Sequence, residues 1–470
     1  MNELPSGWVN TTIGEINDYS SGNIDPLKAP EQVFELYSVP IYPTGRPEHL
    51  PGQNIGSTKQ CVEPGDVLLC KINPRINRVW MVGPKSELPQ IGSSEWIVIR
   101  QSLIHSGFLR YQLSESSFRD KLCSEVSGVG GSLTRAQPKK VATYPVVLPP
   151  LAEQNRIAQK LDELLAQVDT LKARIDAIPA LLKRFRQSVL AAAVSGRLTE
   201  EWRAQHVGWV DEESPTTTPA SNSRPVGWSS ETAGDICGFI TKGTTPSKEK
   251  MTAGHGEVPY IKVYNLTFTG ALDFSIDPTF VDSSTHSTDL KRSIVKPGDV
   301  LMNIVGPPLG KVSIVPATYP EWNINQAIAR FRAGDEISAA YLALCLRTEE
   351  VLSHAVSRAK ATAGQFNLTL EICRELPLPV PPAEEQTEIV RRVEQLFAFA
   401  DQLEVKVASA KSRIDHLTQS ILAKAFRGEL VPQNPNDEPA SVLLERIQTQ
   451  RAAAPKAKRG KARKESSSHA

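Results

Sequence analysis

Pro149-Pro150-Leu151-Ala152-Glu153-Gln154 opens a stretch whose apolar side chains fall at Ile157, Leu161, Leu164, Val168, Leu171, Ile175, Ile178, Leu182, Phe185 and Val189. Steps of four and three alternate throughout, the a/d heptad pattern of a left-handed coiled coil rather than the broader stripe of a helix lying on a globular core. One such helix cannot bury its stripe alone. Its partner lies in the same chain, where Pro381-Pro382-Ala383-Glu384-Glu385-Gln386 leads into Ile389, Val393, Leu396, Ala400, Leu403, Val407, Ala410, Ile414, Leu417 and Ile421 with the same spacing. Proline suits the entry to both helices, because the first turn needs no intrahelical N–H donor. Gly196 and Gly428 read as the stops. Pro179 lies inside the first run and removes one backbone hydrogen bond, so a kink or break is expected there; the second run carries Lys411 at that place.

Working outward, the two helices prove to be parts of a longer repeat with a period of about 230 residues. Val62-Glu63-Pro64-Gly65-Asp66-Val67-Leu68-Leu69 returns as Val295-Lys296-Pro297-Gly298-Asp299-Val300-Leu301-Met302, a Pro-Gly turn running into an apolar strand. Gln187-Ser188-Val189-Leu190-Ala191 returns as Gln419-Ser420-Ile421-Leu422-Ala423, and Gly196-Arg197-Leu198 as Gly428-Glu429-Leu430. Near the start of each half, Gly7-Trp8 with Gly14-Glu15-Ile16 is echoed by Gly227-Trp228 with Gly234-Asp235-Ile236. Two copies of one unit fill almost the whole chain.

The segments before the helices, roughly 1–150 and 220–380, mix short β-like runs with loops rich in Gly, Pro, Ser and Thr, and each is long enough for a domain with its own core. Val67-Leu68-Leu69, Trp96-Ile97-Val98-Ile99, Tyr260-Ile261-Lys262-Val263 and Val300-Leu301-Met302 are the strand candidates, and Ser338 to Arg347 reads as a helix. Residues 203–224 have the composition of a linker. Lys456-Ala457-Lys458-Arg459-Gly460-Lys461-Ala462-Arg463-Lys464 is a basic low-complexity tail, read as a solvated terminus or a weak phosphate-binding arm.

Composition narrows the function. At 470 residues, 40% apolar and 22% charged, the chain reads as globular with more than one domain, and it contains no apolar run of spanning length. Met1-Asn2-Glu3-Leu4-Pro5 has neither a basic region nor an apolar one, so the cytoplasm is the expected location. Cys61, Cys70, Cys123, Cys237, Cys345 and Cys373 form no C-x-x-C pair and have no companion histidine spacing, which argues against a zinc knuckle or disulfide framework. Lys and Arg number 53 against 52 Asp and Glu, so any nucleic-acid surface must be local.

Catalytic signatures are missing. Gly306-Pro307-Pro308-Leu309-Gly310-Lys311-Val312 is one residue short of a phosphate loop and has Val where Ser or Thr would hold magnesium. Gly128-Val129-Gly130-Gly131 has no strand–turn–helix context and reads as a turn, not a dinucleotide fingerprint. There is no H-E-x-x-H, no G-x-S-x-G and no Asn-Pro-Pro-aromatic motif for a flipped adenine. What remains is a binding scaffold with two similar but unequal heads. Such a chain can meet a duplex at two separated sites of different sequence, since about 33 residues of helix span roughly 50 Å.

The helices carry a resemblance. Pro149 to Gln154, Leu161-Asp162-Glu163-Leu164-Leu165-Ala166-Gln167-Val168-Asp169 and Leu182-Lys183-Arg184-Phe185-Arg186-Gln187 resemble the central conserved region of type I restriction-modification specificity subunits. Glu384-Glu385-Gln386, Ile389 to Ala398 and Leu417 to Leu430 resemble the distal region, in the manner of the enteric A-type family. The likeness is close along the helices and covers the whole chain in layout.

That resemblance implies an α+β chain: two similar α/β target recognition domains separated by two long helices in an antiparallel coiled coil, with a pseudo-twofold internal repeat. The expected domains are an N-terminal recognition domain (1–150), a central helical region (151–200), a linker (201–224), a C-terminal recognition domain (225–382), a distal helical region (383–430) and a C-terminal segment with the basic tail (431–470). It implies a non-catalytic subunit that binds double-stranded DNA at a split site, together with two modification subunits and two restriction subunits and no membrane. No cofactor is expected on this chain; S-adenosylmethionine belongs to the modification subunits, and ATP with Mg2+ to the restriction subunits. The competing reading is a two-lobed coiled-coil scaffold without DNA specificity.

Groove readers use Arg, Lys, Asn or Gln for base edges and basic or hydroxyl groups for phosphates. Candidates in the first domain are Lys71, Asn73, Arg75, Asn77 and Arg78, in a loop directly after an apolar strand, with Arg135, Lys139 and Lys140. In the second they are Lys242, Lys262, Tyr264, Asn265, Asn303, Lys311, Gln365 and Asn367. The loops after Val67-Leu68-Leu69 and Val300-Leu301-Met302 hold equivalent places in the repeat. Off the helical seam, Arg156, Lys160, Arg391 and Arg392 mark a possible partner surface.

Overall fold

The computed structural model describes residues 4–20, 22–126, 134–206, 225–306, 308–362 and 365–453. The glycine cluster at 128–131, most of the expected linker and the basic tail lie outside them. The chain divides into two compact units, one of residues 1–175 and 409–470, the other of residues 176–408.

In the first unit the apolar run becomes strand Val67–Cys70, central in an antiparallel three-stranded sheet between Val79–Met81 and Trp96–Ile99. Alternate side chains leave opposite faces of a strand, and here both faces are covered. Val67 and Leu69 enter a core with Leu109, Leu113 and Val146, while Leu68 and Cys70 enter another with Tyr37, Trp80 and Trp96. That explains a continuous apolar run rather than an alternating one. A five-stranded sheet, in the order Asn23–Ile24, Lys59–Cys61, Gln90–Gly92, Val33–Tyr37, Glu48–Pro51, is antiparallel except between Val33–Tyr37 and Gln90–Gly92.

The second unit repeats this plan. Val300–Asn303 sits between Ile328–Ala333 and Val312–Ile314, with Cys237–Lys242 added at the edge. Its five-stranded sheet again holds one parallel pair, Val258–Ile261 with Trp322–Ile324. In each unit a two-stranded ribbon joins the start of the domain to its end: Val9–Thr12 with Pro145–Leu148, and Ser229–Thr232 with Pro377–Val380. The expected helix at 338–347 is Ala339–Cys345, capped by the Ser338 hydroxyl.

The Pro-Gly-Asp turn is fixed identically in both copies. Asp66, 1% exposed, accepts the Glu63 amide and a two-pronged contact from Arg100 at 2.8 and 2.7 Å. Asp299, 3% exposed, accepts the Lys296 amide and the same contact from Arg332 at 2.7 and 2.8 Å.

The Glu-Gln doublets tie each long helix to its domain. Glu153 accepts the Trp8 indole N–H at 3.0 Å and Glu385 that of Trp228 at 2.8 Å. Gln154 accepts the His105 amide and donates to the Pro149 carbonyl; Gln386 does the same with Ser338 and Pro381. The two glutamates differ. Glu385 also receives Thr199 and Arg203, whereas Glu153 keeps one oxygen buried without a partner, and burial raises its pKa against the opposing Trp8 hydrogen bond.

The long helices are Leu151–Val194 and Ala383–Phe426, each followed by a glycine in the left-handed region, Gly196 at φ 77 and Gly428 at φ 75. The helix runs through Pro179, so the expected break does not occur. Within the first unit Ile157 and Leu161 pack with Leu422 and Ala425, and Lys172 pairs with Asp415. Within the second, Val189 and Leu190 share a core with Ile389 and Val393, and Arg186 pairs with Asp401 and Glu404. In both units low numbers on one helix meet high numbers on the other, which is antiparallel pairing.

Three details correct the sequence reading. Seam residue Leu171 is 47% exposed and Leu417 44%, and neither joins a core cluster among the described residues, whereas Phe108 and Tyr111 pack with Ile157 and Leu161. The expected linker begins too early: Glu200–His206 is a helix, anchored where Arg203 grips Glu385. The C-terminal segment contains helix Ala440–Ala453, whose Ala440, Leu443 and Ile447 enter the core around Ile13 and Ile16.

Candidate nucleic-acid interface

The loop after Val67–Cys70 is closed by the Cys70 amide on the Arg78 carbonyl and pressed against the segment near 135. Ile72 bridges Arg135, the Asn73 amide donates to the Thr134 carbonyl at 2.8 Å, and the Ala136 amide to Lys71. Asn73 takes a positive φ of 48°, which asparagine tolerates better than most residues. The structure thus gathers Lys71, Asn73, Arg75, Asn77, Arg78 and Arg135 into one polar surface.

Their side chains are not equally available. Asn77 donates to the Ser114 carbonyl at 2.6 Å and Arg78 to that of Ile72 at 3.0 Å, so both brace the loop. Arg135 pairs with Glu95 at 3.0 Å. Arg75 is exposed and makes no hydrogen bond or ion pair among the described residues. Lys139 and Lys140 stand exposed on the short helix Pro138–Val141.

The second unit reproduces the backbone pattern. The Asn303 amide donates to the Lys311 carbonyl, Val305 bridges Asn367, and Leu368 donates to Ile304. Lys311 therefore stands where Arg78 does, and Asn367 where Arg135 does. Asn367 is exposed; of Gln365 only the backbone is described, paired with Thr362.

Two candidates fail as groove readers. Asn303, 1% exposed, spends its amide on the Pro308 carbonyl and the Lys311 N–H; Asn265, also 1% exposed, bonds Asp273, Ile276 and Lys262. Both are turn staples, their polar atoms consumed inside the loop. Lys262 and Tyr264 lie apart, beyond strand Val258–Ile261, and share Asp277 at 3.7 and 2.6 Å. Lys242 is exposed at the end of an edge strand.

The sequence reading overlooked two exposed apolar side chains beside these loops. Ile76, 55% exposed, lies between Arg75 and Asn77. Phe268, 51% exposed, has the Lys311 ammonium 5.8 Å from its ring centroid, a cation–π contact. On the helices, Arg156 pairs with Asp437, Lys160 with Glu163, and Arg391 and Arg392 hold the Glu388 carboxyl down to about 2. These cations are occupied within the chain.

A duplicated domain thus presents a polar, basic loop at the same place in each copy. The chain belongs to the type I restriction-modification specificity family: residues 5–180 and 225–408 both match the type I restriction modification DNA specificity domain. It is 34% identical over 368 residues to the EcoKI specificity subunit of Escherichia coli K12, covering 75% of this chain and 73% of that one. To the EcoBI specificity subunit of Escherichia coli it is 39% identical over 326 residues, covering 65% and 64%. The fold is shared with a solved chain from work on assembly and conformational transition of the type I R-M system, at TM-score 0.67 and 21% identity over 92% of this chain and 100% of that one. The HsdS subunit of Thermoanaerobacter tengcongensis gives TM-score 0.56 and 22% identity over 91% and 99%.

Proposed function

We propose that this chain is the DNA sequence-specificity subunit of a type I restriction-modification complex, reading a bipartite, asymmetric site across an unread spacer. The observation that carries this is the matched pair of loops. Ile72 with Arg135 and Val305 with Asn367 make the same bridge on the same strand ends, while the side chains presented differ. The same framework with different side chains suits two half-sites of different sequence. Arg75, Lys71, Arg135, Lys139 and Lys140 serve one half-site, and Lys311, Lys242, Gln365 and Asn367 the other; the exposed Ile76 and Phe268 add apolar contacts.

In this reading the subunit performs no chemistry. It positions two modification subunits, which use S-adenosylmethionine to methylate adenine N6, and two restriction subunits, which use ATP and Mg2+, in the cytoplasm. The paired helices set the distance between the half-sites and offer the assembly surface. The scaffold alternative is disfavoured by matches to DNA specificity subunits on both halves of the chain.

Binding by the assembled enzyme tests the loops. Arg75→Ala or Lys311→Ala weakens binding, by about 1–3 kcal/mol and at one half-site only if the contact is to a base. A phosphate contact instead weakens all sequences alike and reduces the salt slope by about one. Unchanged affinity and specificity in both variants removes these loops from the interface.

A further inference from the structure

In the second unit, a cleft of about 550 Å3 lies where helix residues Pro179 to Leu190 meet the recognition domain, in the range of roughly 300–1,000 Å3 typical of small-molecule sites. Its walls are partly apolar, from Leu190, Phe268, Leu309 and Leu352. Its charged groups are Lys183, Arg186 and Arg347 against one carboxylate, Glu404. Arg186 is committed to Glu404 and Asp401 at 2.7 and 2.6 Å. The other two cations are not.

Arg347 is the unusual one. Only 7% exposed, it has no carboxylate partner among the described residues. One guanidinium nitrogen donates to the Phe268 carbonyl at 2.9 Å, the group lies 5.2 Å from the Phe397 ring centroid, and its Nε is buried without an acceptor. Burial, helped by Arg186, pushes the Arg347 pKa down to about 10, so the cation is held at a cost that a bound anion would offset.

We propose that this cleft binds a phosphate group, with Arg347 and Lys183 as its cationic contacts and Phe268 and Leu309 receiving an apolar portion of the molecule that bears it. A guanidinium suits phosphate because its planar fork can meet two oxygens at once. The cleft adjoins the loop assigned to base reading: Pro308, Leu309 and Gly310, which precede Lys311, line it, and Phe268 is shared.

The test is calorimetric titration of inorganic pyrophosphate into the full chain bound to its modification subunits, at fixed ionic strength. Saturable binding is expected, weakened about tenfold or more in Lys183→Gln and lost in Arg347→Met. Lys183 is exposed, so its variant keeps the fold, and Arg347→Met removes a charge that burial already disfavours. Two sources of the phosphate separate when saturating duplex is added. A free ligand leaves pyrophosphate binding and DNA affinity as they were, whereas a backbone phosphate of DNA blocks the titration and makes Lys183→Gln bind duplex more weakly. Absence of saturable binding, or equal binding by Lys183→Gln and the parent, overturns the proposal while leaving the specificity reading untouched, because methylation of the target is measured independently.

Discussion

Replacing Asp299 with alanine removes the carboxylate that closes the Pro-Gly-Asp turn of the second unit. Three hydrogen bonds go: from the Lys296 amide at 2.8 Å and from Arg332 at 2.7 and 2.8 Å. Arg332 is 41% exposed on its side chain and returns to water, so the two bonds it made cost little net. Arg330 cannot do so. Its side chain is 8% exposed, its guanidinium is 4.0 Å from Asp299, and burial already lowers its pKa. Leaving a buried charge without its partner costs about 3–5 kcal/mol, and a buried turn amide left unpaired adds about 1. With partial relaxation, a loss of about 3 kcal/mol is expected for Asp299→Ala. The matching Asp66→Ala should lose about 2, because Arg100 is 26% exposed and among the described residues no second arginine pairs with Asp66. Hydrogen exchange with peptide resolution measures each locally: protection should fall in Val300–Asn303 and Ile328–Ala333 for the first variant, and in Val67–Cys70 and Trp96–Ile99 for the second. Losses below about 1 kcal/mol in Asp299→Ala, or the reverse order of the two, would refute the reasoning.

The repeated glutamates should respond oppositely. Glu385→Gln leaves the 15%-exposed Arg203 without its carboxylate and should destabilise the second unit by about 3 kcal/mol at pH 7. Glu153 has its folded pKa raised, so the folded state holds its proton more tightly and the first unit loses stability as pH rises from the unfolded value near 4.5 through the folded one. Glu153→Gln should flatten that dependence in denaturation curves taken between about pH 4 and 8; an unchanged slope would contradict it. Ile447→Ala, at a fully buried site on the C-terminal helix, should cost the first unit about 2–4 kcal/mol in urea denaturation, and a change under 1 would mean the helix is not part of that core.

Much of this was legible in the residues. Heptad spacing located both helices, and repetition of Val-x-Pro-Gly-Asp located equivalent strands, since period and turn chemistry are local. The arginines that lock those aspartates were not located, because Arg100 and Arg332 lie more than thirty residues downstream, though their matching places in the repeat could have shown them. The Pro-Pro-x-x-Glu-Gln doublets stood out, but their grip on Trp8 and Trp228 is a tertiary fact. Asn265 and Asn303 resembled base readers by type and position; only burial separates a turn staple from a reader. Helix Ala440–Ala453 was passed over as tail, although Leu443 and Ile447 stand one turn apart after Pro439.

The central claim, that this chain alone chooses the DNA sequence to be modified, is tested most directly by mapping N6-methyladenine in host DNA with long reads while the chain is co-expressed with its modification subunit. A split, asymmetric motif is expected, lost when the chain is omitted, and relaxed at one half on replacing Arg75 or Lys311 if that residue contacts a base. Methylation that is absent despite a stable complex, or that keeps the same motif without this chain, would contradict the account.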